Sequence, residues 1–109
     1  MPRLTRNNAG QALGQVAAPF VELFRHGSLS VEYYQPDKVD GQSPHPRDEL
    51  YVIVSGHGWF VCGDSRQPFE PGEVLFVAAG VEHRFEEFSD DFATWVFFYG
   101  PEGGEAVEG

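Results

Sequence analysis

Two histidines and a glutamate carry the chemistry this chain can offer. His45 and Glu49 stand four residues apart and lead into the apolar run Leu50 to Val54. Side chains of equal parity share one face of a strand, so this spacing lets both point to the same side. His83 opens another strand-like run, after the turn Ala78-Ala79-Gly80. Two imidazoles and one carboxylate that converge form a facial triad, which binds a divalent ion and leaves positions open for substrate, water or dioxygen. Imidazole nitrogen and carboxylate oxygen suit Fe, Mn, Ni or Zn, and affinity alone does not choose among them. The plainer alternative is an exposed His/Glu pair on one strand and an unrelated histidine elsewhere.

The elements that must position these residues read as strands. From Pro19 onward, short β-branched or aromatic runs (20–24, 29–34, 50–54, 59–62, 74–77, 83–85 and 94–99) alternate with turn signals. Thirteen Gly and eight Pro supply the turns, Ser55-Gly56-His57-Gly58 among them. Beyond Pro19 no stretch of ten or more residues keeps a helical period free of Gly or Pro. The spacing predicts an all-β domain, a sandwich or a closed barrel. Residues 1–18 form a polar, Gly/Ala-rich N-terminal arm, either a loose helix or extended. Residues 19–100 make the barrel, and 101–109 a flexible acidic C-terminal tail.

Length and charge narrow the partners. A chain of 109 residues fits one domain, and ten Phe, four Tyr and two Trp are enough to fill its core. Seventeen acidic against seven basic residues give a formal charge of -10, which repels phosphate backbones and argues against nucleic acid. No Lys or Arg follows Arg84, so the acidic end reads as a solvated face. Cys62 is the only cysteine, which excludes an intrachain disulfide and a multi-cysteine metal site; it reads as a small core residue. His26 and His57 read as exposed turn residues. The apolar runs are strand-sized, too short to cross a bilayer as a helix, and residues 1–16 hold no apolar leader. A cytoplasmic location is the default expectation.

The glycine framework around the triad adds a second line of inference. His45, Glu49 and Gly56 run as H-x3-E-x6-G; after 15 residues come Gly72, Ala78, Gly80 and His83, as G-x5-A-x-G-x2-H. This resembles the two signature motifs of the cupin superfamily, G-x5-H-x-H-x3,4-E-x6-G and G-x5-P-x-G-x2-H-x3-N. The resemblance implies a small single-domain cupin with a jelly-roll β-barrel, one divalent metal ion, and His45, Glu49 and His83 as its ligands. The first histidine of the motif falls at Ser43 and its opening glycine at Asp37. Ala78 replaces the usual Pro, and Glu87 stands where Asn is common. The missing histidine leaves three ligands, with Gln42 as a possible fourth; water or substrate would otherwise fill the position.

The function expected from this is an oxygenase-type enzyme acting on a small, partly apolar or aromatic molecule. No separate general base is evident, which favours oxygen chemistry. Alternatives are a metal-dependent isomerase or polyketide-cyclase-like protein of aromatic polyketide biosynthesis, and a non-catalytic small-molecule-binding cupin. Tyr51 and Phe85 share strand parity with Glu49 and His83 and are the expected pocket residues. Arg47 shares it near the rim, where it could meet an anionic group. A homodimer is expected, with 20–24 and 94–99 as candidate interface elements.

Overall fold

The alternation of apolar runs and turns resolves into α1 (Arg6–Leu13), β1 (Phe20–His26), β2 (Leu29–Tyr34), β3 (Asp48–Ser55), β4 (Gly58–Cys62), β5 (Ser65–Phe69), β6 (Val74–Val77), β7 (His83–Glu86) and β8 (Ala93–Tyr99). The computed structural model describes residues 2–107. Two antiparallel sheets form, one in the order β1-β2-β8-β3-β6 and one in the order β5-β4-β7. The fold is all-β and of jelly-roll type, as the sequence implied. Its closure differs: among the described residues no ladder joins the two sheets, so the strands pack as facing layers rather than as a closed barrel.

Between the layers lies an aromatic core of Tyr51, Phe60, Phe69, Phe85 and Phe92. Tyr51 meets Phe85 edge to face at 4.9 Å and 81°, and Phe85 tilts against Phe92 at 4.6 Å. Such offset and edge contacts suit the ring quadrupole and fix the rings against one another. The five-stranded sheet is apolar on both faces. Tyr34, Val96 and Phe98 point inward, whereas Tyr33, Ala93 and Trp95 belong to an outer cluster closed by Ala9 of α1. That outer cluster settles the N-terminal arm as a helix. Eight residues are too few for a stable helix in water, but Thr5 caps this one by accepting from Asn8 N at 3.1 Å, and Ala9 is fully buried.

β5 lies inside the stretch 63–72, which reads as a loop because Ser-Arg-Gln-Pro is polar and contains a proline. It pairs with β4 alone, its first four residues are exposed, and Pro68 sits on an edge strand where a missing donor costs little. The β3–β4 turn requires its glycines for space. A Cβ on Gly56, whose φ is +88°, would lie 2.5 Å from Phe92 Cα, and one on Gly58 would lie 2.7 Å from Phe88 Cα.

Asp48, the first residue of β3, ties three segments together. It accepts from Ala79 N at 3.0 Å and from Glu105 N at 2.8 Å, while Gly103 N donates to Pro46 O at 2.8 Å. The segment after β8, expected to fray, is therefore held as far as Glu105; Glu108 and Gly109 lie outside the described residues. Those two backbone donors hold the Asp48 carboxyl below the usual aspartate range. A depressed native pKa contributes stability above the ordinary value and loses it as pH falls through the native one. Amide hydrogen exchange should therefore show Gly103, Gly104 and Glu105 protected at neutral pH and released as acid protonates Asp48. Asp48→Ala should release them at neutral pH, with β8 still protected.

Candidate metal centre

Glu49 stands in β3 between Phe98 of β8 and Val77 of β6, and its side chain points into the core at 1% exposure. His83 opens β7 opposite Cys62 and is 4% exposed. Each sheet contributes one of the pair, and the packing of the layers brings His83 Nε2 to 3.2 Å from Glu49 Oε1. On its other side His83 Nδ1 lies 2.9 Å from the Val81 carbonyl oxygen. Only a protonated nitrogen is satisfied by a carbonyl, so Nδ1 carries a proton and Nε2 faces the carboxylate, bearing a lone pair whenever the ring is neutral. Both oxygens of Glu49 and Nε2 of His83 lack any other hydrogen-bond partner.

Two buried acceptors facing each other repel unless a cation stands with them. A proton on Nε2 is one solution. Burial alone would lower the His83 pKa, but the Glu49 carboxylate and the Val81 carbonyl outweigh it and raise the value. A divalent ion is the other solution. At ligand bond lengths of about 2.1 Å, neighbouring ligands at right angles stand about 3 Å apart, so the observed separation suits two ligands of one ion. The donor set and its orphaned atoms fit a metal.

His45 is placed differently from the sequence expectation. It lies in the loop before β3, not on the strand, and its ring stacks on Phe98 at 3.8 Å and 21°. Its Nδ1 accepts from Arg47 N at 3.2 Å, which leaves the proton of the neutral ring on Nε2. Burial lowers its pKa, with the Glu49 charge acting against that, so the ring is neutral at pH 7. The two histidines thus hold opposite tautomers. His45 shares a cavity wall with Glu49, yet no group of three His, Cys, Asp or Glu among the described residues is gathered closely enough to hold one ion. As placed, the site has two ligands together and the third beside them.

Gln42 is committed on both ends of its amide. Its Oε1 accepts from Tyr51 OH at 2.8 Å and its Nε2 donates to Asp40 Oδ2 at 2.9 Å. Asp40 also accepts from Tyr34 OH at 2.5 Å, from Gln42 N at 3.1 Å and from Phe85 N at 2.8 Å. One carboxylate therefore binds the loop before β3 to β2 and β7. Sequence reasoning passed over Asp40, because an Asp before Gly in a Pro-containing loop looks like ordinary turn chemistry.

A cavity of about 270 Å³ opens beside Glu49, lined by Phe20, Glu32, Tyr34, His45, Val96 and Phe98, with Gln42 and Ser43 at its edge. The residues expected to line it lie elsewhere. Tyr51 and Phe85 are buried in the aromatic core at 0% and 2% exposure. Arg47 donates to the carbonyls of Ser28 and, at 3.4 Å, Gly100, so it fastens backbone. Glu32 was the residue missed. Burial raises its pKa, and the Glu22 and Glu49 charges add to that. Its only sequence signal is the alternation Ser30, Glu32, Tyr34 against Val31 and Tyr33, which ordinarily marks the polar residues as solvent-facing.

The comparisons with known proteins agree with the fold. The sequence profile of the cupin domain matches residues 30–99, and the chain belongs to the cupin family. An uncharacterized protein of Streptomyces coelicolor is 35% identical over 85 residues, covering 76% of this chain and 81% of its own. Among solved structures, a cupin 2 conserved barrel domain protein of Salinispora arenicola superposes with a TM-score of 0.63 at 18% identity, covering 74% of each chain. A protein of Ralstonia eutropha, described provisionally as a mannose-6-phosphate isomerase, gives a TM-score of 0.62 at 23% identity, covering 79% of this chain and 90% of its own.

The Asp40 network sets a test of how the loop is held. Asp40→Ala leaves Tyr34 OH and Phe85 N without their acceptor, and unfolding in urea should show a loss of about 2–4 kcal/mol. Tyr51→Phe removes only the bond to Gln42 and should cost about 1 kcal/mol. Equal, small losses in both variants would show that Asp40 does not organise the loop.

Proposed function

We propose that this chain binds one divalent metal ion through Glu49 and His83, with His45 as the third ligand, and acts on a small, partly apolar molecule held in the adjoining cavity. The observation that carries this reading is the buried contact between Glu49 and His83, whose facing lone pairs call for a cation. His83 is oriented for ligation by the Val81 carbonyl, and Glu49 supplies the negative charge. A bound ion would supply either electron transfer toward dioxygen or Lewis-acid polarisation of a substrate oxygen. The protein's own part is to exclude water behind Tyr34, Val96 and Phe98, and to hold the Gln42 amide through Tyr51 and Asp40 at the edge of the cavity. Among the reaction classes we favour the oxygenase type over an isomerase or cyclase.

A second reading rests on the His45 tautomer: a metal-free pocket in which a proton alone joins Glu49 and His83, as in a non-catalytic binding cupin. Metal titration separates the two. Fe(II) or Mn(II) should bind near one equivalent, and because His83 gives up a proton, calorimetry in buffers of different ionisation enthalpy should find roughly one proton released per ion. Glu49→Gln and His83→Ala should each weaken binding by more than about tenfold. Less than about a tenth of an equivalent, unchanged by added Fe(II), Mn(II), Ni(II) or Zn(II), would sink the metal reading. Oxygen uptake by the Fe(II) form with aromatic and enolic compounds then tests the oxygenase class against the isomerase class.

We also propose a homodimer. On the outer face of the five-stranded sheet Leu50 pairs with Phe76 and with Phe97, and Val74 and Phe76 are 62% and 52% exposed. This adds the β3–β6 side of β8 to the candidate interface elements 20–24 and 94–99. A monomer mass in light scattering at micromolar concentration would refute it.

A further inference from the structure

The cavity beside Glu49 contains one carboxylate, Glu32, that no cationic side chain contacts. Two carboxylates line it, Glu32 and Glu49, and no Lys or Arg does among the described residues. Glu49 faces His83, so a proton or an ion answers its charge. Glu22, across the strand pair from Glu32, is answered by Arg25 at 2.6 Å and by Ser30 Oγ at 2.9 Å. Glu32 stands in the middle of β2, between Glu22 of β1 and Val96 of β8. Among the described residues no donor lies within hydrogen-bond reach of its carboxylate; Arg25, paired with Glu22, acts on it only from a distance. A half-buried carboxylate is an acceptor-only group that asks for a donor or a cation. Around it stand the rings of Phe20, Tyr34 and Phe98, whose faces attract cations.

We propose that Glu32 is the anchor for a protonated amine, and that the cavity takes a small organic ammonium compound with an apolar or aromatic body. This deepens the small-molecule reading of the cavity and rests on it, but it does not depend on the metal. The proposal also sets the substrate class apart from sugar phosphates and free carboxylates. A bidentate cationic side chain ordinarily receives such anions, and Arg47, the residue expected to do so, is turned onto the carbonyls of Ser28 and Gly100.

The test is a series of similar size whose head group is cationic, neutral or anionic: 2-phenylethylammonium, 2-phenylethanol and phenylacetate. Each is titrated by calorimetry into the full chain as purified and again after chelator treatment, at pH 7.5. In both preparations the ammonium should bind about tenfold or more tightly than the alcohol, the order expected of one charge-assisted hydrogen bond. Glu32→Gln should bring the ammonium to within about threefold of the alcohol while leaving the alcohol's affinity and the metal content unchanged. Equal binding of alcohol and ammonium by the parent protein, or of phenylacetate and ammonium after chelator treatment, overturns the inference and leaves the small-molecule reading standing. So does a Glu32→Gln variant that keeps the ammonium preference, or one that loses metal, since Glu32 would then be a ligand. Failure of all three compounds to bind overturns the small-molecule reading and the inference with it.

Discussion

A carboxylate and an imidazole nitrogen, both buried and with no other partner, meet where the two sheets face each other. Glu49 comes from the five-stranded sheet and His83 from the three-stranded one, at 3.2 Å. Without a cation this contact works against folding, because removing a charge and its partner from water costs several kcal/mol unless the pair is well matched. The surrounding structure is arranged to force it. Asp48, next to Glu49, holds the turn before β7 through Ala79 N, and Gly80 N donates to the His45 carbonyl at 2.8 Å. Val81 holds the imidazole from behind. The aromatic core then leaves the two side chains little freedom to turn away.

The same logic appears one layer out, in a hydrogen-bonded network. Asp40 accepts four hydrogen bonds, and through Gln42 it reaches Tyr51, which sits beside Glu49 in β3. Burial and the Glu49 charge push the Tyr51 hydroxyl well above its ordinary pKa, so it remains a donor throughout the physiological range. A donor fixed at Tyr51 orients the Gln42 amide, and Asp40 fixes the other end. The network therefore spends polar groups on orientation and makes the edge of the cavity rigid.

How much of this was legible depends on the distance over which a signal acts. The strands and turns were readable because β-branched runs and glycines act locally. The Glu49–His83 pairing was readable because family spacing encodes a long-range contact that periodicity cannot. β5 was not, since Ser65 to Pro68 face solvent on an edge and carry no apolar alternation. Tyr51 and Phe85 were placed on the correct face of their strands by parity, yet parity does not say how deep along that face a side chain lies. Glu32 was hidden by a reversal of the usual pattern. Its polar neighbours Ser30 and Tyr34 face the interior while Val31 and Tyr33 face outward, and that arrangement is stable because α1 and the N-terminal arm cover the outer face. An arm whose conformation was undetermined could not predict which face of β2 was inside.

The ring nitrogens of the two histidines are committed in opposite ways. His83 gives Nδ1–H to Val81 O and turns Nε2 toward Glu49. In His45 the bond from Arg47 N to Nδ1 keeps the proton on Nε2. If His45 were to hold an ion through Nε2, that proton would have to move to Nδ1 and the Arg47 bond would be lost, at a cost of about 1 kcal/mol, or roughly fivefold in affinity. The backbone need not follow, since Gly80 N holds the His45 carbonyl independently of the ring. In the proposed site the Glu49–His83 pair would therefore form the primary contact with an ion, and His45 would add to affinity only after its proton moved.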